Sequence, residues 1–222
     1  MPLKEYKISM EIAGPLAMWG RPDTGSSPTS YPIPTWSAAK GVFEAVAFFS
    51  DGKAWINPVR VEICKPVGTE STGELHYQKY TTNYRGPLKE TGKSNYQFSA
   101  LVVADVCYRL HAIIENGTAN PLRKGANPCH YLKDKFNRRL KNGRCHHTPC
   151  LGWSEFVPTY WGPVRDESSI PEIRTEVDTA VTLNLVSILK NVFTPEVNGS
   201  YSPVFQQGED SWIREGVFNY VE

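Results

Sequence analysis

The chain has 222 residues, enough for one sizeable core, and 24 basic against 23 acidic residues give a formal charge of +1. Apolar residues at 40% and charged residues at 21% exclude a disordered chain, and total charge names no polyanionic partner. No apolar run approaches the roughly 18 residues of a membrane helix, and the first residues run straight into a strand pattern, so a cytoplasmic protein with no membrane contact is expected.

Tyr6 to Ile12 alternates apolar and polar residues, the period of a half-buried strand, and Gly14-Pro15 is read as its end. A loop rich in proline and serine follows, from Gly20 to Pro34. Thr35 is placed to cap a helix running to about Phe48, with Ala39, Val42, Phe43 and Val46 on one face. Val59, Val61 and Ile63 mark a second strand. Residues 68–95, polar and aromatic, read as a hairpin or irregular insertion. Strand character resumes at Leu101 to Ile114. A second helix spans about His130 to Asn142, where Leu132, Phe136 and Leu140 recur every four residues and Gly143 ends the run. The rest holds a proline-rich loop, a β-branched run from Thr175 to Leu189 and a closing strand or hairpin.

Strand–helix–strand repeated twice predicts an α+β fold, a ferredoxin-like βαββαβ sandwich. Residues 1–145 would form it, and residues 146–222 a small β-rich C-terminal extension. Neither half carries a phosphate-cradling glycine loop, a nucleophile elbow or a HExxH helix.

The charge is unevenly distributed. Between Pro121 and Cys145 stand Arg123, Lys124, Lys133, Lys135, Arg138, Arg139, Lys141 and Arg144 against Asp134 alone. A basic stripe on a neutral protein points to a polyanion such as RNA. A solvated helix face is the competing reading.

The five cysteines are an odd number at irregular spacings, which suits a reducing compartment. Cys129-His130 and Cys145-His146-His147 with Cys150 offer zinc-ligand chemistry. They lack a C-x₂-C pair, so neither a metal nor another cofactor is expected.

Several motifs together resemble a known family. Gly14-Pro15-Leu16-Ala17-Met18-Trp19-Gly20, Tyr31-Pro32-Ile33-Pro34-Thr35 and Ser37-Ala38-Ala39-Lys40-Gly41-Val42 follow one another as in Cas-five subunits of type I CRISPR surveillance complexes, members of the RAMP superfamily. Phe136-Asn137-Arg138-Arg139, Gly143, Pro149-Cys150-Leu151-Gly152-Trp153-Ser154-Glu155-Phe156 and Arg214-Glu215-Gly216-Val217 are similar to the subtype I-C branch. The resemblance implies an RNA-recognition-like fold that binds the repeat hairpin and 5′ handle of CRISPR RNA beside other subunits of the complex. It also implies metal-independent cleavage of precursor RNA.

Trp19, Arg21, Lys40, Arg138, Arg139 and Arg144 are the expected RNA contacts, since cations meet phosphates and aromatic faces meet unpaired bases. In the I-C branch a tyrosine near the end of the first helix and a Lys-His pair at the start of the second carry the cleavage. Here those positions fall on Ala47 and on Tyr131-Leu132, so the nearby His130, Tyr131 and Lys133 become the catalytic candidates. A handle-binding subunit without cleavage, and an unrelated ferredoxin-like module with a zinc knuckle, are the alternatives.

Overall fold

The computed structural model describes residues 5–49, 52–85, 95–117, 127–166, 171–192 and 202–221. The chain begins with β1 (Tyr6–Ala17), followed by the short β2 (Trp19–Gly20) and β3 (Ser30–Tyr31). Helix α1 (Trp36–Val46), β4 (Ala54–Pro66), β5 (Tyr77–Arg85), β6 (Asn95–Asn116) and helix α2 (Pro128–Lys141) come next. The remaining strands are β7 (Tyr160–Gly162), β8 (Thr175–Val177), β9 (Leu183–Asn184), β10 (Ser187–Asn191), β11 (Val204–Gln207), β12 (Trp212–Ile213) and β13 (Val217–Asn219). It is a mixed α/β fold around one antiparallel sheet.

The sheet runs β13-β4-β6-β1-β7, with β5 also paired to β6 and β8 to β4. It therefore crosses the boundary expected at residues 145/146, since β7, β8 and β13 join strands from the first half. Register sorts the side chains by face. Met10 lies opposite Leu110 and Leu110 opposite Val61, while Ile12, Tyr108 and Ile63 form the next row. These apolar rows belong to one core cluster with Ala39, Val42, Phe43 and Val46 of α1 and Leu132, Phe136 and Leu140 of α2. Phe43 and Phe136 meet at 5.7 Å between ring centroids.

Gly14-Pro15 does not end β1. The ladder resumes at Leu16 opposite Ala104, with only Pro15 and Asp105 missing from it. Proline has no N–H to give, and Asp105 takes a φ of 53°, so the strand passes the proline without an orphaned donor. The insertion region contains β5, which pairs with β6 from Tyr77 opposite Val103 to Arg85 opposite Asn95; residues 86–94 lie outside the described residues.

Two of the sequence motifs meet in space. The Met18 N–H donates to the Leu151 carbonyl at 2.9 Å, and Gly152 sits against Met18. A Cβ there would stand 1.8 Å from the Met18 oxygen, and the φ of 91° also demands glycine.

Candidate nucleic-acid interface

The end of α1 and the basic face of α2 build one surface. Thr35 starts α1 by accepting the Ala38 N–H at 3.2 Å, a cap typically worth about 1 kcal/mol. At the other end the chain turns extended at Ala47, leaving carbonyls of the last turn without helical partners. Donors from the α2 side supply them. Arg139 Nη1 reaches the Val46 oxygen at 2.8 Å and Lys135 Nζ the Phe48 oxygen at 3.2 Å. The backbone N–H groups of His146 and His147 both donate to Ala45, at 2.8 and 3.1 Å. Cations at a helix C-terminus also complement its dipole.

Gly143 makes this possible. In the left-handed region at φ 61°, it reverses the chain after α2, and Arg144 N donates back to the Arg139 oxygen at 2.8 Å. The reversal brings His146 edge-on to Phe48, with centroids 4.8 Å apart, and His147 5.6 Å from His146. Tyr131 stacks on Phe49 at 5.6 Å while half of it stays exposed. Lys135 lies 5.7 Å over the same Phe49 ring. Burial, with the charge of Arg139 added, lowers the pKa of Lys135 from the usual lysine value. A depression of about 430 Å³ beside it is lined by Arg138, Arg139, Asn142, Arg144 and Cys145.

Chemically, this surface combines exposed imidazoles, a stacked tyrosine and a row of cations. Imidazole exchanges protons near neutral pH, guanidinium groups can hold a phosphate, and aromatic faces accept unpaired bases.

The expected residues divide. His130 is exposed on the first turn of α2, its Nδ1 3.2 Å from Asp134 Oδ2 and its ring 6.2 Å edge-on to Tyr6. Tyr131, Arg138, Arg139 and Arg144 belong to the surface just described. Lys133 does not join Tyr131: two residues along a helix is a rotation of about 200°, and Lys133 borders a separate depression with Lys7, Arg60 and His111. Lys135, one turn after Tyr131, holds the position on its side.

Trp19 is corrected as an RNA contact. It is 2% exposed, donates from Nε1 to the Tyr108 hydroxyl at 3.4 Å and packs edge-on to that ring, leaving no face for a base. Arg21 lies in the loop before β3, donating to both oxygens of Asp23 at 3.1 and 2.7 Å. Lys40 pairs with Glu44 one turn on, at 2.6 Å. Both already hold a carboxylate. Arg123 and Lys124 lie outside the described residues.

Sequence reasoning missed Lys135 and treated His146-His147 as a metal question. Cys129 is buried and donates to Asn116 Oδ1 at 3.1 Å. Among the described residues no three His, Cys, Asp or Glu side chains converge on a common point. The readable signal for Lys135 was its spacing of four from Tyr131.

A second charged cluster lies on the sheet face opposite the apolar rows. Glu11, fully buried, stands opposite Arg109, which stands opposite Glu62. Arg165 donates from Nε to Glu11 Oε1 at 2.6 Å and from its backbone N–H to Oε2 at 3.1 Å; Thr175 Oγ1 donates to Oε2 at 2.8 Å. Burial opposes the charge on Arg165, but its hydrogen bond to Glu11 and that carboxylate's charge outweigh it and raise its pKa. Glu62 meets Arg60 at 2.7 Å and His111 at 3.2 Å. Every one of these charges has an internal partner.

With this fold and this surface in place, relatives can be compared. Residues 8–197 match the family described as CRISPR-associated protein (Cas_Cas5), and the chain belongs to that family. It is 29% identical over 196 residues, 86% of this chain and 78% of the relative, to the CRISPR pre-crRNA endoribonuclease Cas5d of Thermus thermophilus. To the Mannheimia succiniciproducens protein of the same name it is 27% identical over 180 residues, covering 74% and 76% of the two chains. The fold is shared with a crystal structure of a CRISPR-associated protein (TM-score 0.62, 15% identity) and with a functionally uncharacterized Streptococcus mutans protein (TM-score 0.63, 14% identity). Each likeness covers 97% of this chain and 92% of the other. Among the described residues no helix is long and apolar enough to cross a membrane.

Proposed function

We propose that the chain is an RNA-binding subunit of a type I-C-like CRISPR surveillance complex that holds the repeat hairpin and 5′ handle of CRISPR RNA and cleaves its precursor without metal. The observation that carries this reading is the convergence of Tyr131, Lys135, Arg138, Arg139, Arg144 and His146 around the end of α1. The two Cas5d relatives, both named pre-crRNA endoribonucleases, support it. In the same reading β1-α1-β4 and β6-α2-β7 are the two halves of a ferredoxin-like unit, with residues 146–222 adding its last strand and the C-terminal β region.

The chemistry asks little of the protein beyond positioning. A base takes the proton of the 2′-hydroxyl, O2′ attacks the adjacent phosphorus, and the 5′-oxygen leaves with a proton from an acid, giving a 2′,3′-cyclic phosphate. His130 or His146 supplies the proton transfers. Lys135 and the arginines stabilise the charge that builds on the phosphorane oxygens. Lys133 takes no part, for the reason of helix geometry given above.

The test is cleavage of repeat RNA in EDTA. The all-ribose substrate is expected to yield a cyclic phosphate, and a single 2′-deoxy sugar at the cut site to abolish the reaction. His130→Ala or His146→Ala should lower the rate by about a hundredfold, with RNA affinity changed only a few fold. Cleavage of the 2′-deoxy substrate would overturn the mechanism. Tight binding without cleavage of the all-ribose RNA would leave a handle-binding subunit.

A further inference from the structure

The charged face of the sheet ends in two cysteines that RNA cleavage does not use. The ladder between β4 and β6 pairs Glu62 with Arg109 and Ile63 with Tyr108, so one further step brings Cys64 level with Cys107. Side chains alternate along a strand, which puts both cysteines on the face of Glu62 and Arg109 rather than among the apolar rows. Directly opposed residues of antiparallel strands stand about 4.5–5.5 Å apart at Cα, inside the range of about 4.4–6.8 Å that a disulfide bridges. Both thiols are free.

Their surroundings give the two sulfurs different parts. Cys107 is partly exposed; its Sγ donates to Glu11 Oε1 at 3.5 Å and accepts from Arg165 Nη2 at 3.8 Å. Cys64 is 6% exposed, with its Sγ 3.8 Å from the Glu62 carbonyl oxygen. A hydrogen bond to Cys107, and after it burial, push the pKa of the Cys64 thiol well above its usual value. Both cysteines line an open pocket of about 820 Å³, together with Lys65, Asp105 and Arg165. A pocket of that size admits a small organic molecule.

We infer that Cys64 and Cys107 are a redox-active dithiol, closed to a cross-strand disulfide by exchange with a small-molecule disulfide, oxidised glutathione, that enters this pocket. Cys107 reacts first because it is the accessible member. Its thiolate bonds to one sulfur of the glutathione disulfide, and the other sulfur leaves and takes up the proton that Cys107 gave. The hydrogen bond that held the Cys64 proton is then gone. Cys64 loses that proton, its sulfur attacks Cys107 Sγ, and the second glutathione leaves as a thiol carrying the proton. Two protein thiols are oxidised to one disulfide while one glutathione disulfide is reduced to two thiols. In a reduced glutathione pool the pair stays open, and a shift toward the disulfide closes it. The inference does not rest on the RNA-binding reading.

The experiment incubates the folded, fully reduced chain with oxidised glutathione. Remaining thiols are then blocked with N-ethylmaleimide, and intact mass and tryptic peptides are read by mass spectrometry. A peptide pair linked through Cys64 and Cys107 is expected in most molecules, and dithiothreitol should return both as free thiols. Cys64→Ser should halt the reaction at its first step, with glutathione retained on Cys107. Cys107→Ser should leave Cys64 unmodified, since no accessible sulfur remains there. Circular dichroism checks the fold of each variant. Glutathione retained on Cys107 in the unaltered chain would overturn the inference. So would free thiols at both positions while Cys145 or Cys150 reacts, or a Cys64–Cys107 link that forms only in denaturant.

Discussion

The two charged clusters of this molecule are opposites. Around Glu11 the charges are internal and paired: Arg109 and Arg165, with the Thr175 hydroxyl, converge on one carboxylate from β6, the segment after β7 and β8. Around the end of α1, cations outnumber acids, and none of Arg138, Lys141 and Arg144 forms an ion pair among the described residues. A closed cluster ties strands together and leaves nothing for a ligand. An open one is solvated by water and leaves its charges available to a polyanion. Under the proposed function, the difference separates a stabilising cluster from one that binds RNA.

The sharpest way to break that comparison is to open the closed cluster. Glu11→Gln leaves the buried Arg109 and the partly buried Arg165 without their carboxylate, a loss that typically costs about 3–5 kcal/mol. For a chain of this size the melting temperature should fall by roughly 10 °C, read by calorimetry or circular dichroism. A drop of under a degree would show that the cluster contributes nothing to stability.

A smaller effect divides the open cluster itself. Arg139 donates to the Val46 carbonyl, so Arg139→Ala should cost about 1–2 kcal/mol as well as weaken RNA binding. Arg138→Ala with Arg144→Ala should leave stability within about 0.5 kcal/mol while lowering the salt dependence of RNA affinity by about one to two in log–log slope. Denaturant unfolding and binding at several salt concentrations measure the two. Equal stability loss in both variants would erase the distinction drawn between them.

The smallest effect is in acid. Burial works against the Glu62 carboxylate, but its hydrogen bond to His111 and the charges of His111, Arg60 and Arg109 prevail and lower its pKa below the usual 4.5. A lowered carboxylate pKa stabilises the fold above the unfolded value and loses that stabilisation as pH falls through the folded one. Glu62→Gln should therefore flatten the fall of stability below pH 4.5, seen in denaturant titrations across that range. An unchanged acid limb would mean that Glu62 is not among the groups responsible.

Much of this arrangement was legible in the chain. The alternation from Tyr6 to Ile12, the Thr35 cap and the four-residue recurrence of Leu132, Phe136 and Leu140 are local signals, and each marks a real element. The basic stripe also stood in plain view, because α2 carries its charges on consecutive turns. Burial was harder. Trp19 read as a base-stacking residue, yet it closes the core against Tyr108, a partner 89 positions away.

By itself, then, the sequence determined the helices, the central strands, the basic face and the family resemblance, all properties of residues near one another in the chain. Only the tertiary structure decided the rest. It carried β1 through Pro15, because the facing Asp105 can leave the ladder. It set Tyr131 and Lys135 against the residues that follow α1, because only packing decides which side of α2 faces them. It gathered Glu11, Arg109, Arg165 and Thr175 from four segments. Such clusters rest on strand register and chain reversal, which no local spacing encodes.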